Sequence, residues 1–154
     1  MATSNREAKM DETIRKVGAG LLMWSPKTRE VLLLQRRSQH NDFKWGLPGG
    51  NAEGDDPTPL DTAQREAIEE LGHLPPYHVV LELLTKRGKD KQKHYRVFVC
   101  KVNEEDKAMY KPNLNEEHRD WKWIELAQLH NMIEELHPVV KKLVKEHNLL
   151  FKLS

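Results

Sequence analysis

Apolar positions along the chain recur with two different periods, and each period assigns a kind of element. Val17 to Trp24 and Val31 to Gln35 are short apolar runs bounded by turn residues. They read as two strands joined around Ser25-Pro26-Lys27. A stretch from about Ser38 to Pro57, rich in Asn, Gly, Asp and Pro, predicts a loop. The period then changes. Leu60, Ala63, Ala67 and Leu71 recur at helical spacing, and the helix has marked ends. Thr58 can cap it, Pro59 takes the first helical position, Asp61 supplies a capping-box acid and Gly72 stops it. Pro75-Pro76 forces extended backbone ahead of Val79 to Lys86, which pairs as a hairpin with His94 to Val102 around Arg87-Gly88-Lys89-Asp90-Lys91. Asp120 to Ile124 adds a short strand. After Pro138, the spacing of Val139, Val140, Leu143 and Val144 predicts a last helix. Strands, helix, strands, helix is an α/β order, predicting a mixed sheet between helices.

The predicted central helix also carries chemistry on its polar side. Glu66, Glu69 and Glu70 stand at i, i+3 and i+4, so their carboxylates share one face while Ala63, Ala67 and Leu71 pack on the sheet. Each like-charged pair costs roughly a few tenths of a kcal/mol in an isolated helix. A hard divalent cation removes that conflict, because magnesium joins a few carboxylates with waters and phosphate oxygens. Glu-rich helices are nevertheless common solvated faces, so this spacing alone leaves both readings open.

The segment before the helix changes the balance. Trp45-Gly46-Leu47-Pro48-Gly49-Gly50 places two adjacent glycines where backbone can approach a ligand closely. Together with the helix, this segment gives a stretch from Gly50 to His73 that resembles the Nudix box: a Gly, five residues, Glu, seven residues, then Arg-Glu-apolar-x-Glu-Glu-x-Gly-apolar. Gly50 matches the first Gly, and Arg65, Glu66, Ala67, Glu69, Glu70 and Gly72 match the tail. Three departures stand out. Asp56 occupies the first Glu position, Pro57 to Gln64 make one residue too many before Arg65, and His73 replaces the closing apolar residue. Downstream, Leu114-Asn115-Glu116-Glu117-His118 and Trp121-Lys122-Trp123-Ile124 are similar to a loop and strand of Nudix diadenosine tetraphosphate hydrolases.

The resemblance implies a Nudix α/β/α sandwich and hydrolysis of a diphosphate by water attack on phosphorus. It implies Mg2+ or Mn2+ held by Glu66, Glu69 and Glu70, with help from Gly50 and Glu117. It also implies a small-molecule diphosphate substrate, with Glu66, Glu70 or Glu117 as base and Arg65 bracing the loop. Arg36, Arg37, Trp45, Gly49 and Gly50 are the candidate substrate contacts. Trp45, Tyr95, Trp121 and Trp123 offer stacking faces for a base, with at least two of the four expected in the core. The basic turn Lys86 to Lys93 could attract a polyphosphate tail or simply guard a strand edge. A nucleoside polyphosphate is favoured, either a dinucleoside polyphosphate or a nucleoside triphosphate. Diphosphoinositol polyphosphates and isoprenyl diphosphates stay open, as does a Nudix-fold binding module without turnover.

Composition narrows the setting further. The chain has 154 residues, expected to form a flexible tail over residues 1–14 and one domain over residues 15–154. A net charge of +1 argues against an RNA-binding role. No apolar run is long enough for a bilayer, so no membrane partner is expected. Cys100 is the only cysteine. It lies in a strand pattern, so it reads as core, and a reducing, cytoplasmic setting is expected. Monomer and homodimer remain equally open.

Overall fold

Residues 16–153 are described by the computed structural model; the tail expected over residues 1–14 lies outside them. Strands β1 (Lys16–Ser25) and β2 (Glu30–Arg36) form a hairpin but pair only at Trp24↔Val31 and Ser25↔Glu30 before they part. Into the wedge come β3 (Trp45–Gly46), antiparallel to β2, and β4 (Gly49–Asn51), antiparallel to β1. On its other edge β1 runs parallel to β6 (Lys93–Lys101), from Lys16↔Lys93 to Trp24↔Lys101. β5 (His78–Arg87) is antiparallel to β6, and β7 (His118–Glu125) is antiparallel to β2. The seven-stranded mixed sheet therefore splits at its middle, and the glycine segment fills the split.

Side chains alternate across the sheet, because successive residues of a strand point to opposite faces. Ala19, Leu21 and Met23 of β1 and Phe98 and Cys100 of β6 share one core with Ala63 and Ala67 of α1 (Pro59–Leu71). Leu22, Trp24, Val97 and Val99 share the other with Val139, Val140, Leu143 and Val144 of the helix 138–145. Each of the Leu, Val, Met and Phe side chains contributes roughly 1.5–3 kcal/mol when fully buried. Cys100 is buried, as its strand position implies. The result is the expected helix–sheet–helix sandwich. No helix among the described residues is long and apolar enough to cross a membrane.

The boundaries of α1 are those its sequence signals predict. Thr58 Oγ1 accepts the Asp61 N–H at 3.2 Å, and the Gly72 N–H donates to the Ile68 carbonyl at 2.8 Å, with Gly72 at φ +80°. The loop expected from Ser38 to Pro57 is corrected, since β3 and β4 lie inside it. Strands of two and three residues have no periodicity of their own, and their partners are distant in sequence. Helix α2 (Glu104–Met109), a 3-10 stretch over Leu126–Glu135 and α4 (Leu149–Lys152) also escape the pattern; the helix after Pro138 is α3 (Pro138–Lys145). Strand β7 begins at His118 rather than Asp120, taking the candidate loop acid to its very edge.

Candidate active site

The glycine segment and α1 meet face to face across the split in the sheet. The Gly49 N–H donates to Glu70 Oε2 at 2.9 Å. Glu70 is only 4% exposed. Burial pushes its carboxyl up to about 8, against the pull of the Gly49 hydrogen bond and with the repulsion of Glu66 and Glu117. Gly50 lies against the other acid. A Cβ added there would fall 2.5 Å from Glu66 Cδ and Oε2, so a larger residue would have to push that carboxylate aside. At Gly49 a Cβ would meet the Ala19 carbonyl at 2.4 Å and the Tyr95 hydroxyl at 2.2 Å. Burial raises Glu66 as well, the Arg65 hydrogen bond opposes it, and Glu69 and Glu117 add repulsion.

Arg65 ties the loop to the helix. Its Nε and Nη2 donate to the two oxygens of Asp56 at 3.0 and 2.9 Å, and Nη2 also reaches the Asn51 carbonyl at 3.2 Å. Nη1 donates to Glu66 at 2.9 Å and to Glu69 at 3.4 Å. Asp56 also accepts the Thr62 hydroxyl at 2.8 Å, and its carboxyl is held well below the usual range, chiefly by Arg65. The shorter acid thus makes the fork pairing that a bidentate site requires. Helix α1 runs unbroken from the Thr58 cap to Leu71, so the spacing before Arg65 leaves the phase of Glu66, Glu69 and Glu70 intact.

Glu66, Glu70 and Glu117 line one cavity of about 710 Å³, together with Arg36, Gly49, Gly50, Tyr95 and His137 among others. Glu117 is exposed, yet its backbone is anchored. Its carbonyl accepts the Arg37 N–H at 2.7 Å, while the Asn115 and Asn113 N–H groups donate to the carbonyls of Glu70 and Leu71 at 3.1 and 2.8 Å. The loop acid therefore hangs from the end of α1, beside the acids it was expected to join. Next to it His118 is buried, held neutral at about 4 by burial and by Arg36.

Three expected residues stand apart from the cavity. Trp45 is buried in the core beneath α3, with Lys122 Nζ 5.4 Å from its ring centre. It cannot offer a stacking face there. Arg37 is exposed and not among the lining residues. Glu69 is on the solvent side of α1, 56% exposed at its side chain and turned to Arg65. Of the four aromatics considered for stacking, only Tyr95 lines the cavity; Trp121 and Trp123 pack against the core on the α1 side.

A sequence profile of the NUDIX domain matches residues 14–146. The chain belongs to the NUDIX domain family. It is accordingly a hydrolase of the diphosphatase class. No curated protein sequence matches it. Its fold is similar to that of a Caenorhabditis elegans Ap4A hydrolase, with TM-score 0.64 and 21% identity over 88% of this chain and 98% of that one. It is likewise similar to the MutT protein from Methanosarcina mazei Go1, with TM-score 0.64 and 23% identity over 89% and 95% of the two chains. RenU, a Nudix hydrolase from M. smegmatis, has TM-score 0.65 and 20% identity over 90% of this chain and 88% of its own.

Within this NUDIX domain, the donor set fits a divalent cation. Two acids raised by burial and by repulsion from neighbouring carboxylates sit beside a third, and a dication would offset that repulsion. As the side chains stand, no three metal-ligating groups converge among the described residues, because Arg65 engages Glu66 and Glu69. The NUDIX cavity also holds groups that the sequence pattern did not single out. His137 Nδ1 accepts the Val139 N–H at 3.1 Å as the cap of α3, leaving Nε2 as donor. Burial, Arg36 and Arg87 hold it neutral, at about 3. The only sequence signal was its place before Pro138 at a helix start. Arg87 and Lys93, from the adjoining ends of β5 and β6, also line the cavity.

Proposed function

We propose that this chain hydrolyses the phosphoanhydride of a nucleoside polyphosphate, either a dinucleoside polyphosphate or a nucleoside triphosphate, with Mg2+ or Mn2+. The observation that carries this reading is one cavity lined by Glu66, Glu70 and Glu117 and, with them, by Arg36, Arg87 and Lys93. Phosphate oxygens suit the cationic wall, and the scissile phosphorus would lie toward the acids. Glu66, Glu69, Glu70, the Gly50 carbonyl and Glu117 would hold the ion, with Glu69 turning away from Arg65 to join them. When bound, a divalent ion polarises the phosphoryl oxygen and lowers the pKa of the attacking water.

The chain's own groups do the rest. Arg36 pairs with charge on the phosphates, and Arg65 keeps the Asn51–Asp56 loop against α1. A carboxylate takes the proton of the attacking water as the new P–O bond forms and the bridging P–O bond breaks. Glu66, Glu70 and Glu117 are the candidates, and burial raises the carboxyls of Glu66 and Glu70 from the ordinary carboxylate range toward neutral pH. A rigid helix bearing several acids suits a reaction that depends mainly on positioning and electrostatic stabilisation.

The test is a substrate panel run with magnesium or manganese and with excess chelator. It spans nucleotide sugars, dinucleoside polyphosphates, oxidised triphosphates, diphosphoinositols and isoprenyl diphosphates. Nucleoside polyphosphates should turn over fastest, chelation should abolish the rate and metal should restore it. Hydrolysis that survives excess chelator would refute the metal reading. Faster turnover of a diphosphoinositol or isoprenyl diphosphate would displace the nucleotide assignment, and no turnover at all would leave a binding module.

A further inference from the structure

The carboxylate cavity does not end at its cationic wall. Arg87 and Lys93 also line a second groove of about 450 Å³, closed on its far side by Lys141, Lys142 and Lys145 of α3. The two spaces share these residues and so adjoin along one stretch of surface. Charge along it is one-sided. Among the described residues, the sole carboxylate lining the second groove is Glu146, and Lys142 Nζ neutralises it at 2.8 Å. Lys141 reaches Glu134 at 3.4 Å, on the side chain's exposed flank. Arg87, Lys93 and Lys145 make no ion pair within the described residues. Among the described residues, the Nε atoms of Arg36 and Arg87 are buried without a hydrogen-bond partner. Buried donors of this kind are normally satisfied, and an unpaired guanidinium facing a groove calls for an anion.

We infer that the groove between the β5–β6 turn and α3 binds the phosphates beyond the hydrolysed bond, so the substrate carries a chain of three or more. Calling that ligand a substrate rests on the hydrolase reading above; the groove itself rests on its own residues. Arg36 lies nearest the acids, where its charge acts on Glu70; Arg36 and Arg87 both act on His137, and Arg87 and Lys93 line the second groove with Lys145. A two-phosphate ligand fills only the first part, whereas each added phosphate meets a further cation. Folded together, two separate features of the sequence become one surface: the arginine ending β2 and the basic turn after β5.

Calorimetric titration in chelator with pyrophosphate and tripolyphosphate tests this without requiring turnover. Tripolyphosphate should bind about tenfold tighter to the intact chain, and K93Q/K145Q should reduce that ratio to about twofold. K101Q, an exposed lysine on another face, should leave the ratio unchanged. Equal affinities, or a preference that survives K93Q/K145Q, would overturn the proposal. Displacement of tripolyphosphate by an equally charged 5′-hydroxyl RNA would do the same, marking the groove as a general polyanion surface. If the ratio behaves as expected while no phosphoanhydride is hydrolysed, the groove stands and the hydrolase reading fails.

Discussion

Replacing Glu70 by Gln isolates the charge that the fold buries beside Gly49. The amide keeps the shape and still offers an oxygen to the Gly49 N–H, but it cannot ionise. In the wild type the carboxyl is raised from 4.5 to about 8. A group raised on folding contributes stability that is fully present below its unfolded pKa, near 4.5, and is lost as pH rises toward about 8. At about 1.36 kcal/mol per pH unit across that window, the wild type loses on the order of 3 kcal/mol by about pH 7, part of it shared with Glu66. For a chain this size, 1 kcal/mol moves Tm by about 2–4 °C. Thermal denaturation in chelator should therefore find the two proteins close near pH 5, with Glu70→Gln higher by several degrees near pH 8. Saturating magnesium should then narrow that gap. An ion held only by the native wild-type site adds about 2.7 kcal/mol at a hundred times its Kd, and the variant should gain far less. Parallel Tm curves in chelator would refute the buried-charge argument, and equal magnesium shifts would remove Glu70 from the metal site.

The other acids separate by position. Glu69→Gln should lower turnover about a hundredfold, although Glu69 faces solvent, because the proposed site needs it to turn inward; near-normal turnover would leave it as a brace for Arg65. Glu117→Gln should lower turnover roughly ten- to a thousandfold with Tm almost unmoved, since its anchoring bonds are made by backbone. Glu116→Gln is the control, and equal rates for the two would take Glu117 out of the site. Gly49→Ala drives a Cβ into the Ala19 carbonyl and the Tyr95 hydroxyl, so it should cost about 1–3 kcal/mol or more in denaturant unfolding. An unchanged midpoint would show that β4 can move off β1 freely.

Local periodicity determined α1, its two caps, the strand pairs and the helix after Pro138, because each depends on residues within a few positions of one another. The phase of Glu66, Glu69 and Glu70 on one helical face follows from the same local geometry, and so does the resemblance of the box. What the sequence could not determine is where each of those acids sits relative to water. Glu70 is buried and Glu69 exposed although they are neighbours, because only the packing of α1 against β1 and β4 decides which face is covered. The pairing of Asp56 with Arg65 depends on a loop path that spacing alone left in doubt. Trp45 was legible as a large aromatic, but its burial beneath α3 depends on a helix that begins more than ninety residues later. Arg36, Arg87, Lys93 and His137 come from four elements with no common motif. They share one cavity only because β1 and β2 part and the strands beside them end at the same rim. Pattern along a chain records short-range order, whereas a binding wall is assembled across it by tertiary packing.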